Sequence, residues 1–178
     1  VEDCRASVEE RTLCLLPGFV PSEMVQQMVK ETEPAIGEGF PFENQRAAYA
    51  DDGNGWTTDH PRGMLPHCHY RQILNYPISN DALIRRLFLW QALTEFIRQV
   101  MRAPALFQSA CPHFALTLQI SDAGNCNGWH FDGNDFVVSL LLQAPDSGGE
   151  FEYAADIRNY DDQNYPGVAR VFSEPDTY

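Results

Sequence analysis

Between Val100 and His113 the apolar residues of this chain change their period. Upstream, Leu83, Leu87, Trp90, Leu93, Ile97 and Val100 recur every three or four residues, which makes one stripe along a helix. Downstream, Phe114, Leu116, Leu118 and Ile120 alternate with His113, Ala115, Thr117 and Gln119. That is the period of a strand with one apolar face. Helices followed by closely spaced strands predict an α+β fold, with N-terminal helices packed on an antiparallel β-core.

The stripe predicts one helix from Asp81 to Arg102. Asn80 stands at its cap position, Asp81 complements the N-terminal dipole, Arg98 and Arg102 the C-terminal one, and Pro104 lies beyond. A second helix is expected from Pro21, carrying Met24, Val25, Met28 and Val29, and stopped by Pro34. Before it, residues 1–12 are polar and either helical or poorly ordered. Leu13-Cys14-Leu15-Leu16 then predicts a strand, and Pro17-Gly18 a turn. From Gly37 to Tyr70 no period holds. A loop of that length is either functional, as a lid or substrate-binding loop, or disordered. It contains His60, His67 and His69. His-x-His can bind metal where a strand presents both rings on one face, and solvated loop histidines are the plainer reading. Arg71, at the end of the loop, is a candidate for a substrate carboxylate or a solvated loop side chain.

Further strands are expected at Gly128–Asp132, at Phe136–Gln143, which is nearly all apolar and so buried on both faces, and at Glu150–Tyr153, with a turn over Ala144–Gly149. Pro166–Phe172 predicts one short helical turn. The chain of 178 residues fits a single domain, residues 1–178, large enough to bury a core.

A net charge of -13 repels phosphate, which argues against nucleic acid and anionic membranes as partners. No apolar run reaches the roughly 20 residues that span a bilayer, and no signal peptide is visible. Five cysteines without a C-x-x-C pair suggest reduced thiols and a cytoplasmic protein rather than a disulfide framework or zinc ribbon. The oligomeric state is open.

Gly128-Trp129-His130-Phe131-Asp132-Gly133 carries the chemistry. On a strand, His130 and Asp132 share a face while Phe131 points the other way. An imidazole and a carboxylate side by side are two ligands of the 2-His-1-carboxylate triad, which holds Fe(II) and leaves positions open for a co-substrate and dioxygen. The pair also suits Zn or Mn, and alone it equally describes a turn-capping Asp beside a half-buried His. Trp129, Asn134 and Asp135 flank the pair as candidate substrate-binding residues, with core packing or a turn as their simpler roles.

The stretch from Asn127 to Arg158, NGWHFDGNDFVVSLLLQAPDSGGEFEYAADIR, resembles the iron(II)- and 2-oxoglutarate-dependent oxygenases. Within them it is most similar to the group of free amino-acid halogenases and their hydroxylase relatives (HalD/BesD-like). The resemblance is strong after Pro112 and looser before it. It implies a double-stranded β-helix, a cupin-like jelly roll, with Fe(II) held by His130 and Asp132 and chelated by 2-oxoglutarate. It implies no catalytic residue beyond the metal ligands. Halogenases of this type replace the carboxylate by a small residue; Asp132 is retained, so the resemblance points to hydroxylation of a small molecule, a free amino acid or a derivative, with O2 as co-substrate. Arg158 matches a family arginine and is a candidate cofactor-binding residue; an ion pair with Glu150 or Glu152 is the alternative.

The family's second histidine lies on a later strand, and no histidine follows His130 here. The chain is therefore expected to be a fragment, its β-helix truncated. His113, ahead of the first core strand, is the substitute ligand on offer, although the family's topology places none there. A non-catalytic remnant or small-molecule binding module of the same fold is the competing expectation.

Overall fold

A computed structural model of the chain describes residues 1–45, 47–49 and 54–175. In chain order its elements are α1 (Glu2–Arg11), α2 (Ser22–Thr32), a 3-10 helix (Glu33–Glu38), β1 (Phe40–Gln45), β2 (His67–Ile73), α3 (Leu83–Phe88), α4 (Gln91–Val100), β3 (Leu118–Ile120), β4 (Cys126–Asn127) and α5 (Tyr165–Ser173). The fold is α+β, with a small sheet ordered β1-β2-β3 and β4 also paired with β2. The chain divides into two compact units. One comprises Val1–Phe40 and Gln72–Ile120, the other Pro41–Arg71 and Ser121–Tyr178.

The first unit is built on helices. In α2 the apolar face buries Met28 completely, and the Thr32 hydroxyl donates back to the Met28 carbonyl at 2.8 Å, so its polar atom is satisfied inside the core. Ile73, Ile78, Ala82, Ile84 and Val100 complete this core. The polar α1 buries none of its residues; Arg5 ties it to the Gln99 carbonyl at 2.7 Å and Glu9 to Arg102 at 2.7 Å. Pro34 ends α2 as expected, although the chain continues as a 3-10 turn rather than unwinding.

The helix expected over 81–102 is two helices. Trp90 is extended (φ -72, ψ 109), and Leu89 and Trp90 are half exposed at the break. Gln108 explains the stop: its amide donates to the Phe88 carbonyl at 3.0 Å and the Thr94 hydroxyl at 2.9 Å, satisfying an orphan carbonyl that a continuous helix would have used. The cap also differs. Asn80 does not cap α3; the Glu31 carboxylate of α2 accepts the Leu83 N–H at 2.6 Å. The strand expected at Leu13–Leu16 is irregular, with Leu15 exposed. The strand expected from His113 shrinks to Leu118–Ile120, because Ala115 N–H turns back to the Cys111 carbonyl at 3.2 Å.

The second unit overturns the long-loop expectation. Residues 37–70 contain β1 and the start of β2; residues 46 and 50–53 lie outside the described residues. β2 alternates as a half-buried strand should: Cys68 and Tyr70 point into the core, with Phe42 stacked on Tyr70 at 4.8 Å, while His67, His69 and Arg71 face the other side. Its antiparallel partner β4 sets Cys68 opposite Asn127 and His69 opposite Cys126. At the other end, α5 is longer than the single turn expected. Asn164, left-handed at φ 42, accepts the Gly167 N–H at 3.2 Å as N-cap, and Val168 and Val171 are buried.

Gly128 follows β4 and donates to the His67 carbonyl at 3.2 Å. A Cβ there would stand 2.5 Å from Pro66 Cβ and 2.8 Å from the His67 carbonyl oxygen, so only glycine permits this approach. Beyond it the expected strands do not form. Gly128–Asp132, Phe136–Gln143 and Glu150–Tyr153 have irregular backbone. Far from being buried on both faces, Val138 and Leu141 are 60% and 71% exposed, and Phe151 is 76% exposed. A strand exists through its ladder, and among the described residues no strand pairs with these segments.

Two outcomes are expected. Gly128→Ala destabilises the protein by about 1–3 kcal/mol, the usual cost of overpacking, measured as a lower midpoint in urea unfolding. In acid, depressed carboxylates matter, Glu95 and Glu31 among them. The hydrogen bonds from Arg98 and Gln99 hold Glu95 down at about 2, and those from Leu83 N–H and Gln27 hold Glu31 below its ordinary value of 4.5. Both folded values are depressed, so their stabilisation is present above the unfolded value and is lost as pH falls through the folded one. Melting temperature followed by circular dichroism should fall between pH 4.5 and 2, and Glu95→Gln should flatten that limb.

Candidate metal centre

His130 and Asp132 sit in irregular backbone of the second unit, yet their side chains converge. His130 Nε2 lies 3.6 Å from Asp132 Oδ1. His130 Nδ1 lies 2.7 Å from the Gly128 carbonyl. A carbonyl can only accept, so Nδ1 carries a proton and Nε2 is the nitrogen that faces the carboxylate. Two ligands about 2.1 Å from one metal at right angles stand roughly 3 Å apart, so a small movement closes this pair onto an ion. The imidazole is largely shielded and the carboxylate more than half exposed, which leaves the site open on the aspartate side. A carbonyl on the remote ring nitrogen is a usual means of fixing a ligating histidine's orientation.

Phe131 points away from the pair, as expected, but the strand pleat is not what turns it. Its N–H donates to the Ala48 carbonyl at 2.7 Å, and its ring lies 4.9 Å from that of Tyr49. Arg158 covers the same ring, its guanidinium carbon 3.9 Å from the centroid, and donates to Gln163 Oε1 at 3.0 Å. Arg158 is thus engaged with an aromatic face and an amide, in place of the ion pair considered with Glu150 or Glu152. Tyr49, Ala48 and Gln163 were not signalled in the sequence. Their one trace is that an aromatic residue separates the two ligands and needs a partner.

The other candidates are dispersed. Arg71 pairs with Asp122 at 3.2 Å, which occupies its guanidinium. Trp129 is half-buried, and Asn134 and Asp135 are exposed in a bend after the pair. His67 and His69 share the exposed face of β2 with ring centroids 6.0 Å apart, so the loop reading of this pair is corrected. His67 has Cys126 Sγ 3.8 Å from Nδ1 and Glu43 3.8 Å from Nε2, on opposite sides of its ring. His60 accepts the Arg62 N–H on Nδ1 at 3.2 Å and stacks on Trp56 at 4.1 Å, so it is a packed ring rather than a solvated one. His113 belongs to the first unit, where its ring meets Tyr76 edge-on at 6.0 Å. Among the described residues no group of three His, Cys, Asp or Glu side chains is arranged to hold a metal.

Among the described residues no helix is long and apolar enough to cross a membrane. No curated protein and no solved structure matched the chain. A family model, Halogenase D, matches residues 1–177. That match runs over both units and through the His130–Asp132 pair, and the chain belongs to the Halogenase D family.

Proposed function

We propose that this protein is an Fe(II)- and 2-oxoglutarate-dependent oxygenase that hydroxylates a small molecule, a free amino acid or a derivative of one. The observation that carries this reading is the ligand pair: His130 Nε2 faces Asp132 Oδ1 across 3.6 Å while Nδ1 is tied to Gly128 O. These two side chains fit a facial-triad metal, since they offer one neutral nitrogen and one anionic oxygen on the same side of the chain. Bound there, Fe(II) with 2-oxoglutarate supplies the oxidising power to hydroxylate an unactivated carbon with O2, releasing succinate and CO2.

The chain's own residues do three things in this reading. Gly128 O orients His130, Asp132 provides the charge that attracts the divalent ion, and the Phe131 side of the segment keeps both ligands facing one way. The retained Asp132 supports a hydroxylating reaction. A carboxylate in that position fills the metal site that a halide needs, which favours hydroxylation over halogen transfer within a family named for the latter. A double-stranded β-helix is the fold proposed around the pair; the alternating Glu150–Tyr153 segment and the apolar Phe136–Gln143 segment have the composition of its strands.

A non-catalytic binding module is the second reading. The observation that favours it is the two-ligand centre among the described residues. One assay separates the two. Protein expressed from the whole reading frame, purified without oxygen and loaded with iron, should convert 2-oxoglutarate to succinate. Asp132→Ala should lower that rate more than about a hundredfold, because even outer-shell partners of a metal are worth 10- to 100-fold. Equal rates in the two proteins would remove Asp132 from the metal, and no succinate from the wild-type protein would favour the binding module. Activity with Zn or Mn in place of iron would instead assign the pair to a different metal chemistry.

A further inference from the structure

We infer that Arg158 is a positioning residue: through Phe131 it holds His130 and Asp132 as a ligand pair, rather than contacting a co-substrate itself. The inference takes the metal centre from the proposed function, and its first readout does not require a metal.

Phe131 lies between the two ligands, so its backbone sets the direction of both. The segment has no strand ladder to fix it. Instead its N–H is fixed on Ala48 O at 2.7 Å and its ring packs against the Arg158 guanidinium at 3.9 Å and Tyr49 at 4.9 Å, which also meet each other at 5.3 Å. A guanidinium over a ring face is attracted by the ring quadrupole, and the more so when shielded from water. Arg158 is half-buried here.

The clamp is itself anchored. Gln163 accepts from Arg158 through its side chain at 3.0 Å and from the Tyr49 hydroxyl through its backbone carbonyl at 3.2 Å, so one residue ties both neighbours of the Phe131 ring. Arg62 stands 4.7 Å from the Tyr49 ring centroid and donates to the Tyr165 hydroxyl at 3.1 Å, which ties Tyr49's surroundings to α5. With the ring immobilised, His130 is left on the opposite side with its Nδ1 against Gly128 O and its Nε2 toward Asp132. Losing the guanidinium frees the Phe131 ring, and the segment can then rotate the imidazole off Gly128 O. A lysine at 158 restores a cation over the ring without the planar fork.

The test compares wild-type protein with Arg158→Met and Arg158→Lys. In metal-free protein, imidazole nitrogen-15 spectra read the His130 tautomer, its signals identified by their loss in His130→Gln. A Co(II) titration then reads metal affinity, and a steady-state assay reads the KM for 2-oxoglutarate. Wild-type protein should hold the Nδ1–H tautomer. Arg158→Met should populate both tautomers and weaken Co(II) binding about tenfold, in the range of outer-shell losses, and Arg158→Lys should recover most of both. An unchanged tautomer and Co(II) affinity in Arg158→Met, with only the KM for 2-oxoglutarate raised, would overturn the inference and make Arg158 a co-substrate ligand. Should Arg158→Met fail to fold, Phe131→Leu takes its place, with the same mixed tautomer expected and an unmixed one overturning the inference. Wild-type protein that binds no Co(II), but whose tautomer responds to Arg158→Met, would refute the metal centre and leave the clamp standing.

Discussion

Two backbone hydrogen bonds bracket the functional segment, and the geometry of the site depends on them. Gly128 donates to His67 O and Phe131 donates to Ala48 O, at 3.2 and 2.7 Å. Backbone N–H groups taken away from water need acceptors, and a strand would have found them in a ladder. Here one acceptor sits on β2 and the other at buried Ala48. Only Trp129 and His130 lie between the two bonded positions, which leaves His130 little freedom except to fold its ring back onto Gly128 O. Gly128 itself can come so close to Pro66 and His67 only because it lacks a Cβ. The constraint that sets the metal pair is therefore a close backbone approach, reinforced by ring packing on the far side.

What was legible in the sequence had local causes. α2 begins after Pro21 and stops at Pro34 because proline acts through its own ring and its immediate neighbour. The chemistry of His130 and Asp132 was legible because two residue types at i and i+2 need only a short extended stretch to converge. The features that were not legible have distant causes. Gln108, far along the chain, stops α3 at Phe88; Glu31, from a different helix, caps Leu83. An apolar stripe at three- and four-residue intervals runs unbroken across the Leu89–Trp90 break, so periodicity alone reports one helix where there are two. Likewise His67 and His69 read as loop residues because their neighbours are Pro66 and Gly63, whereas pairing with neighbouring strands, Cys126 and Asn127 of β4 among them, makes β2 a strand.

The Phe136–Gln143 segment shows the same limit in sharper form. Its composition is that of a strand covered on both sides, yet its backbone is irregular and most of its residues are exposed. Composition specifies that a segment can satisfy a ladder and bury both faces; it does not supply the neighbouring strand. Apolar side chains without cover carry an unfavourable contact with water on the order of 25 cal/mol per Å², so this segment is the part of the second unit whose environment most favours a partner. The His130–Asp132 pair does not share that dependence, because its anchors, His67, Ala48, Tyr49 and Arg158, all lie within the same unit.

That separation clarifies how a site can be formed where a sheet is not. On a strand, the pleat would send Phe131 inward and both ligands outward, and the ladder would hold the register. Here the Ala48 hydrogen bond replaces one rung of the ladder, and the Arg158–Phe131–Tyr49 cluster replaces the core against which the inward residue would pack. The two devices impose the same alternation by different means. Since a carbonyl holds His130 through Nδ1–H, Nε2 faces Asp132 whether or not the flanking residues are hydrogen-bonded as a strand. The ligand pair is thus a property of the segment from Gly128 to Asp132 and its immediate packing, and the surrounding β-structure governs what covers the pair rather than whether it forms.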